Sequence, residues 1–313
     1  MYTIITVVIL SIISAVQAHM QLTYPPPFQA SNNPYTTGPA DPYLQYPFDC
    51  CGPGDRWDYP CRGYLKLLGT PAGRSVAKWP AGSVQAWNMS GIGNHYGGSC
   101  QVGFSVDNGT TFQVATSYEG NCPHRDAGND AAGQNFDFTV PADMPTGSVV
   151  FAWTWFNREQ EFNMNCAAVT ITAPKAMING GYNVGSPTAA AIEPVSSESS
   201  GHATADNYTD LWPFPRRGRS SLQFKRAGTM FPKISFRHGL KHGVRPAHVH
   251  KRALSSSIPY AQRPGMLVAD AGNGCLTPHT TAEVKYPHPG PDVVLGDGEY
   301  PLELPTPADK CGY

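Results

Sequence analysis

One histidine stands where export would place it at the start of the mature chain. His19 follows Val16-Gln17-Ala18, a small-residue pattern at which signal peptides are cleaved. A histidine in first position can bind one metal ion through both its α-amine and a ring nitrogen. The ordinary pKa of that amine, about 8, leaves part of it neutral near pH 7.

A second histidine, His95, lies in a glycine-rich stretch, residues 91–100. Glycines on both sides allow a tight loop that presents the imidazole ring. Together with His19 it supplies three nitrogen donors, a set that suits Cu(II). Three protein donors leave coordination positions open, as oxygen chemistry requires, whereas a structural zinc site would have a fourth ligand.

A third group of candidate residues follows an aromatic run in residues 151–166. Two strands joined by a polar turn near residues 157–160 are expected here, and side chains alternate between the two faces of a strand. The alternation places on one face Glu161, Asn163 and Asn165, and on the other Phe162 and Met164. Beside a metal, the Glu161 carboxyl could act as an acid or a hydrogen-bond partner.

The N-terminus and the cysteines indicate export. Thr3–Val16 is a nearly continuous apolar run of about 14 residues, which fits a signal peptide over residues 1–18 and is too short to span a bilayer. Secretion to the extracellular space means an oxidising compartment, so the eight cysteines predict up to four disulfides. Three sequons make the protein a candidate glycoprotein, beginning at Asn88, Asn108 and Asn207.

Short strands separated by turn residues predict an all-β fold for residues 19–175. Only 14% of the residues are charged, while 32 are glycine and 30 are proline. The strand-like runs are residues 83–88, 99–106, 111–117, 134–140, 148–156 and 167–172. This spacing predicts an antiparallel β-sandwich with long loops.

The C-terminal half differs in composition. Residues 176–263 are expected to form a linker and a basic, disordered insert, because residues 201–263 carry 12 basic and 2 acidic residues. Residues 264–313 are expected to form a small cysteine-containing module in which Cys275 could pair with Cys311. The rest of the chain carries 10 basic and 21 acidic residues, which argues against nucleic-acid binding.

Four segments of the chain resemble the fungal lytic polysaccharide monooxygenases, most closely the chitin-active family eleven of the auxiliary activities. They are His19-Met20, residues 95–101, residues 118–123 and residues 153–172. The resemblance implies a fibronectin III- or immunoglobulin-like sandwich with one copper ion held in a histidine brace by His19 and His95. It also implies an external electron donor, and dioxygen or hydrogen peroxide as co-substrate.

The same resemblance assigns roles beside the copper and exposes one departure. Glu161 matches the glutamate that family members carry next to the metal. Asn163 stands where they usually carry an axial tyrosine. Either the amide of Asn163 occupies the axial side, or a local bulge turns Phe162 towards the copper.

The leading hypothesis is a secreted, monomeric, copper-dependent enzyme that oxidatively cleaves an insoluble β-1,4-linked glycan, with chitin favoured. Its site residues are His19, His95, Glu161 and Asn163. A non-catalytic copper-binding protein on the same fold is the alternative, and a glycan-binding module without a metal is a third. A hydrolytic glycosidase is disfavoured because no carboxylate pair stands out, and a serine hydrolase because no nucleophile elbow is present. Neither a nucleic acid nor a membrane is expected as a partner.

Overall fold

Two β-sheets packed face to face form the framework of the protein. The computed structural model describes residues 19–49, 57–174 and 258–313. The strands are β1 (Met20–Tyr24), β2 (Ala77–Pro80), β3 (Val84–Gly91), β4 (Ser99–Ser105), β5 (Gln113–Glu119), β6 (Asn135–Thr139), β7 (Gly147–Phe156), β8 (Phe162–Thr172), β9 (Glu283–Val284), β10 (Val293–Leu295) and β11 (Leu302–Glu303). One sheet has the order β1-β3-β6 and the other the order β10-β5-β4-β7-β8-β2.

The prediction of an all-β sandwich is confirmed, with a difference at the edges of the larger sheet. Its central strands β5, β4, β7 and β8 are antiparallel, as is the whole three-stranded sheet. The two edge strands β2 and β10 instead run parallel to their neighbours. A parallel neighbour needs a long crossover connection, which the local alternation of residues does not reveal.

The core lies between the two sheets and is dominated by aromatic side chains. Along β7, the side chains of Val149, Phe151, Trp153 and Trp155 face the opposite sheet. This alternation is what a strand with one face towards a core requires. Large aromatic rings bury 150–250 Å² each, on the order of several kcal/mol per ring, so this layer dominates the stability of the sandwich.

A second apolar cluster covers the outer face of the larger sheet. Long loops and the C-terminal segment pack there on the alternate residues of β7 and β8, with Phe28, Phe156, Phe162, Met164, Cys166 and Tyr286 among its members. Three disulfides are present in the described part of the chain: Cys61–Cys166, Cys100–Cys122 and Cys275–Cys311. The expected Cys275–Cys311 pairing is confirmed, and Cys50 and Cys51 lie outside the described residues.

The C-terminal segment shares the packing of the sandwich. Strand β10 is an edge strand of the larger sheet, paired with β5. Arg263, placed at the end of the basic insert, is buried and donates from Nη1 to the Ala115 carbonyl oxygen, 3.0 Å away. Residues 258–313 thus belong to the same compact unit as residues 19–174. The division into domains at residues 175 and 264 stays a prediction.

Several sequence-based expectations fall on residues outside the described ranges. These are the signal peptide, residues 1–18, most of the linker and basic insert, residues 175–257, and the sequon at Asn207. Among the residues that are described, no helix has the length and apolar character needed to cross a membrane.

Candidate metal centre

Strand β1 carries His19 to the loop that follows β3. Met20 pairs with Gly91 at the end of the antiparallel β1–β3 ladder. The His19 carbonyl oxygen accepts a hydrogen bond from the Ile92 N–H at 2.9 Å. A Cβ at Gly91 would lie only 1.9 Å from that oxygen, so the close approach of the two chains requires glycine here.

The loop between β3 and β4 presents His95. Its backbone is left-handed at His95 and Tyr96, with φ of +46° and +55°, and continues with positive φ at Gly97 and Gly98. Glycine adopts this region freely, which agrees with the expectation that the glycines form a tight loop. The Trp155 indole N–H donates to the Gly97 carbonyl oxygen at 3.1 Å and fixes the loop on the inner face of β7.

The structure brings the two predicted histidines together. Their ring centroids lie 5.9 Å apart with an interplanar angle of 47°, and both side chains are buried. The Tyr46 ring packs edge-on against His19 at 4.4 Å, and Trp155 packs against His95 at 5.6 Å. Two imidazoles that share an ion through bonds of about 2 Å have ring centres roughly 6 Å apart. The arrangement therefore fits a single ion held between the rings.

Two carboxylates face the His95 ring. Glu161 Oε2 lies 3.5 Å from His95 Nε2, and Glu159 Oε2 lies 3.2 Å from Nδ1. His95, Glu159 and Glu161 form a group whose ligand atoms lie close enough together to hold a cation. Glu161 was predicted as a site residue, whereas Glu159 was placed only in the turn. The sequence feature that could have identified Glu159 as a site residue is its position two residues before Glu161.

Burial and neighbouring groups shift the pKa of the Glu161 carboxyl. Desolvation is the largest effect and raises the pKa of its carboxyl above the ordinary value, with the nearby Glu159 carboxylate adding to the rise. A hydrogen bond donated by Asn157 Nδ2 to Glu161 Oε2 and the charge of His95 act in the opposite direction. Glu161 can therefore hold a proton at higher pH than an exposed glutamate does.

Asn163 is buried on the inner face of β8, with 2% of its surface exposed. Within the described ranges, neither atom of its amide has a hydrogen-bond partner. Its neighbour on the same face, Asn165, accepts from the Leu22 N–H at 2.9 Å and donates to the Leu44 carbonyl oxygen at 3.0 Å. Asn163 is thus flanked along the chain by two residues with contacts of their own. Asn165 is hydrogen-bonded to Leu22 of β1, and Glu161 faces His95.

The alternative in which a bulge turns Phe162 towards the metal is wrong. The β7–β8 register runs without a shift, with Phe162 opposite Phe156. The Phe162 ring stacks on Phe156 at 5.1 Å and packs near Tyr59 at 6.1 Å, within the outer apolar cluster. Because the strand is regular, Phe162 and Asn163 point to opposite faces, and Asn163 keeps the inner one.

Comparisons with known proteins agree with the resemblance found in the sequence. No protein-family model matches the chain. The chain is 34% identical over 161 residues to an AA11 family lytic polysaccharide monooxygenase A from Aspergillus fumigatus, which covers 51% of this chain and 67% of that protein. It is 31% identical over 176 residues to an AA11 family lytic polysaccharide monooxygenase from Aspergillus oryzae, covering 51% of this chain but 37% of that protein.

Solved structures show weaker likeness. An AA10 lytic polysaccharide monooxygenase from Streptomyces lividans aligns at 13% identity with a TM-score of 0.31, covering 49% of this chain and 99% of that one. Family membership rests on the sequence relatives, and it confirms the family predicted from the four matching segments. The chain belongs to the AA11 family of lytic polysaccharide monooxygenases, a class of copper-dependent oxidoreductases.

Proposed function

We propose that this protein is a secreted, copper-dependent monooxygenase that cleaves a β-1,4-linked glycan oxidatively, with chitin as its substrate. The observation that supports it most directly is the 5.9 Å separation of the buried His19 and His95 rings. Both histidines come from distant parts of the sequence, and the β1–β3 ladder and the glycine-rich loop bring them together. His19, through its ring and its α-amine after cleavage, and His95 would hold one copper ion.

The chemistry that copper supplies when bound is the activation of dioxygen or hydrogen peroxide after reduction by an external electron donor. His95 must present a nitrogen lone pair rather than an N–H to the metal. Glu159 favours this, because its carboxylate 3.2 Å from Nδ1 is placed to stabilise a proton on that nitrogen electrostatically, although the two atoms are not aligned as a hydrogen bond.

Glu161 would handle a proton next to the reacting atoms. Its carboxyl is half-buried beside His95 Nε2, and its pKa is raised chiefly by desolvation. The Asn157 amide donates to Oε2 and fixes the orientation of the group. A carboxyl whose pKa is raised holds its proton to higher pH and would be placed to donate it to a reacting oxygen atom.

Asn163 would lie beside the copper, at the position where other family members carry a tyrosine. Its buried amide has both a donor and an acceptor that no described residue uses. A small neutral amide offers hydrogen bonds to a molecule beside the metal and occupies less volume than a phenol ring. Asparagine in place of tyrosine would leave more room at this position.

The substrate and the location rest on further features. Tyr96, next to His95, exposes 72% of its surface and offers a flat apolar face on which a sugar ring could stack beside the metal centre. Chitin is proposed because the sequence resembles chitin-active members of the family. The three disulfides suit an oxidising extracellular compartment, and we propose that the enzyme acts there as a monomer on insoluble polysaccharide.

The test uses secreted protein whose first residue is verified as His19 by intact mass. Copper-loaded protein is incubated with chitin or cellulose, a reductant and dioxygen, and the products are analysed by mass spectrometry. Oxidised oligosaccharides from chitin are expected from the wild type and not from His95→Ala. Native oligosaccharides only, or none, from fully loaded wild-type protein would overturn the catalytic proposal. An electron paramagnetic resonance spectrum that is unchanged in His95→Ala would remove His95 from the site.

A further inference from the structure

The loop that carries His95 needs restraint from outside itself. His95 and Tyr96 are consecutive non-glycine residues with left-handed backbones, and Gly97 and Gly98 follow with φ of +108° and +120°. L-residues disfavour this conformation because Cβ approaches the following carbonyl oxygen. Such a backbone persists only when the surrounding structure over-determines it. The contacts that hold the loop therefore decide where the His95 ring lies.

A glutamate from the far end of the chain provides the most concentrated of these contacts. Glu283, in β9, is 2% exposed. Its Oε1 accepts hydrogen bonds from the Gly98 N–H at 2.9 Å, the Asn121 N–H at 3.1 Å and Arg125 Nη2 at 3.0 Å. One carboxylate oxygen thus joins the His95 loop to the segment after β5. Burial of this charge is tolerated because all three donors converge on it.

Arg125 completes the arrangement by contacting both Glu283 and the loop. Its Nη1 donates to the Tyr96 carbonyl oxygen, one residue after His95. Its Nε and Nη2 form a bidentate pair with Asp297 at 2.7 and 2.9 Å, and the guanidinium lies 4.8 Å from the centre of the Tyr300 ring. A planar guanidinium held by two carboxylates and an aromatic ring has little rotational freedom. Arg125 therefore holds the His95 loop in a fixed position relative to the C-terminal segment.

The loop and Glu283 are tightly packed against each other. A Cβ at Gly97 would lie 2.5 Å from Glu283 Oε1 and 3.0 Å from Arg125 Nη1. The adjoining residue of β9 contacts the first residue of β4, directly after this loop, because the Ser99 hydroxyl donates to the Val284 carbonyl oxygen at 2.7 Å. Two consecutive residues, Gly98 and Ser99, are therefore hydrogen-bonded to β9.

We propose that Glu283 is a positioning residue for the metal centre: it holds the His95 loop so that the ring of His95 meets that of His19. The inference rests on the proposed function, in which these two histidines bind copper. It makes the segment after residue 258 part of the metal centre, although that segment supplies no ligand. Substituting Glu283 by glutamine preserves its size and one acceptor oxygen but removes the charge that pairs with Arg125.

The test compares Glu283→Gln with a matched control, Glu303→Gln. Glu303 is an exposed glutamate on β11, the strand paired with β9. Cu(II) affinity is measured by isothermal titration calorimetry, the copper environment by electron paramagnetic resonance, and the melting temperature with and without copper. Glu283→Gln is expected to weaken Cu(II) binding at least tenfold and to change the spectrum. Glu303→Gln is expected to leave both unchanged.

A metal-free readout separates this inference from the proposed function. The ring resonances of His95 in the NMR spectrum of the metal-free protein should shift in Glu283→Gln and not in Glu303→Gln. If the wild type binds no copper, the proposed function fails, while these resonances still report whether Glu283 positions the loop. If Glu283→Gln keeps the Cu(II) affinity, the spectrum and the His95 resonances of the wild type, the inference is overturned. A lowered melting temperature with an unchanged copper-induced rise would overturn it as well, because that outcome describes a merely structural role.

A second variant covers the case in which Glu283→Gln does not fold. Arg125→Lys keeps a positive charge near Glu283 but cannot contact Tyr96, Glu283 and Asp297 at once. It is expected to weaken Cu(II) binding in the same direction and to shift the His95 resonances. A folded Arg125→Lys with wild-type copper affinity and unshifted resonances would overturn the inference equally.

Discussion

Asn163 lies directly opposite Trp155 in the pairing of β7 with β8, and the Trp155 indole packs against the His95 ring. A buried amide is thereby connected to the candidate metal centre through one tryptophan. Within the described residues this amide has no hydrogen-bond partner. A buried polar group without a partner destabilises the folded state by about 1–3 kcal/mol, so such a residue is usually explained by a ligand, an ion or a bound water.

The first prediction concerns the stability of metal-free protein carrying Asn163→Val. Removing an unsatisfied amide is expected to raise the free energy of unfolding by about 1 kcal/mol, because the desolvation penalty disappears. Asn165→Val is the matched control two residues along the same face. It leaves the Leu22 N–H and the Leu44 carbonyl oxygen without their partner, so a loss of about 2 kcal/mol or more is expected. Urea denaturation of both variants measures the difference. A loss in Asn163→Val as large as that in Asn165→Val would show that Asn163 has a structural partner.

The second prediction tests the α-amine as a donor. One alanine added before His19 moves the amine away from the ring and breaks the chelate, while the imidazole stays in place. The affinity for Cu(II) is expected to fall at least tenfold, which corresponds to about 1.4 kcal/mol. The same alanine added after Tyr313 is the control. Equal affinities for the two proteins, measured by calorimetry, would mean that the amine takes no part in binding.

The sandwich could be predicted because the sequence features that indicate it are local. Alternation along β7 and β8 shows which side chains enter the core, and the turn residues between the strands show where each strand ends. The parallel edge strands β2 and β10 could not be predicted, because they are only four and three residues long and are paired by tertiary contacts. Their pairing depends on chain segments distant in sequence.

The candidate metal centre was partly predictable for the same reason. His19 was identified by the cleavage pattern and His95 by its glycines, two signals that each lie within a few residues. That the rings meet follows from the register of β1 on β3, which sequence alternation leaves open. Glu159 has the spacing of a site residue but sits in an exposed turn, where a glutamate carries no signal by itself. Glu283 could not be found, because its role arises only from contacts across 185 residues.

The third prediction concerns pH and the buried Asp270. Its oxygens accept from the Thr277 N–H at 3.0 Å and the Thr277 hydroxyl at 2.5 Å, yet desolvation raises the pKa of the carboxyl above its ordinary value. The folded state therefore binds this proton more tightly than the unfolded chain does. Consequently, the contribution of Asp270 to stability falls as the pH rises above about 3.9, the ordinary aspartate pKa.

Asp270→Asn removes this dependence while preserving shape, because the Thr277 hydroxyl can accept from an amide as readily as it donates to a carboxylate. We expect a higher melting temperature than that of the wild type at pH 7, with the difference shrinking towards pH 3. The exposed Asp309→Asn is the control and should show no such trend. Thermal denaturation at several pH values provides the measurement. A variant less stable than the wild type at pH 7 would contradict the prediction.

The fourth prediction concerns the two disulfides that lie in the outer apolar cluster. Cys275–Cys311 spans 36 residues and encloses β9, and Cys61–Cys166 spans 105 residues. A cross-link stabilises the fold mainly by restricting the unfolded chain, by about 4 kcal/mol for the shorter loop and about 1 kcal/mol more for the longer one. Replacing each pair by two alanines should lower the free energy of unfolding, and the loss should be larger for Cys61–Cys166 than for Cys275–Cys311. Urea denaturation measures both losses. Because β9 carries Glu283, opening Cys275–Cys311 should also weaken Cu(II) binding. A larger stability loss from the shorter loop would show that folded-state contacts, rather than chain entropy, set the contribution of these bridges.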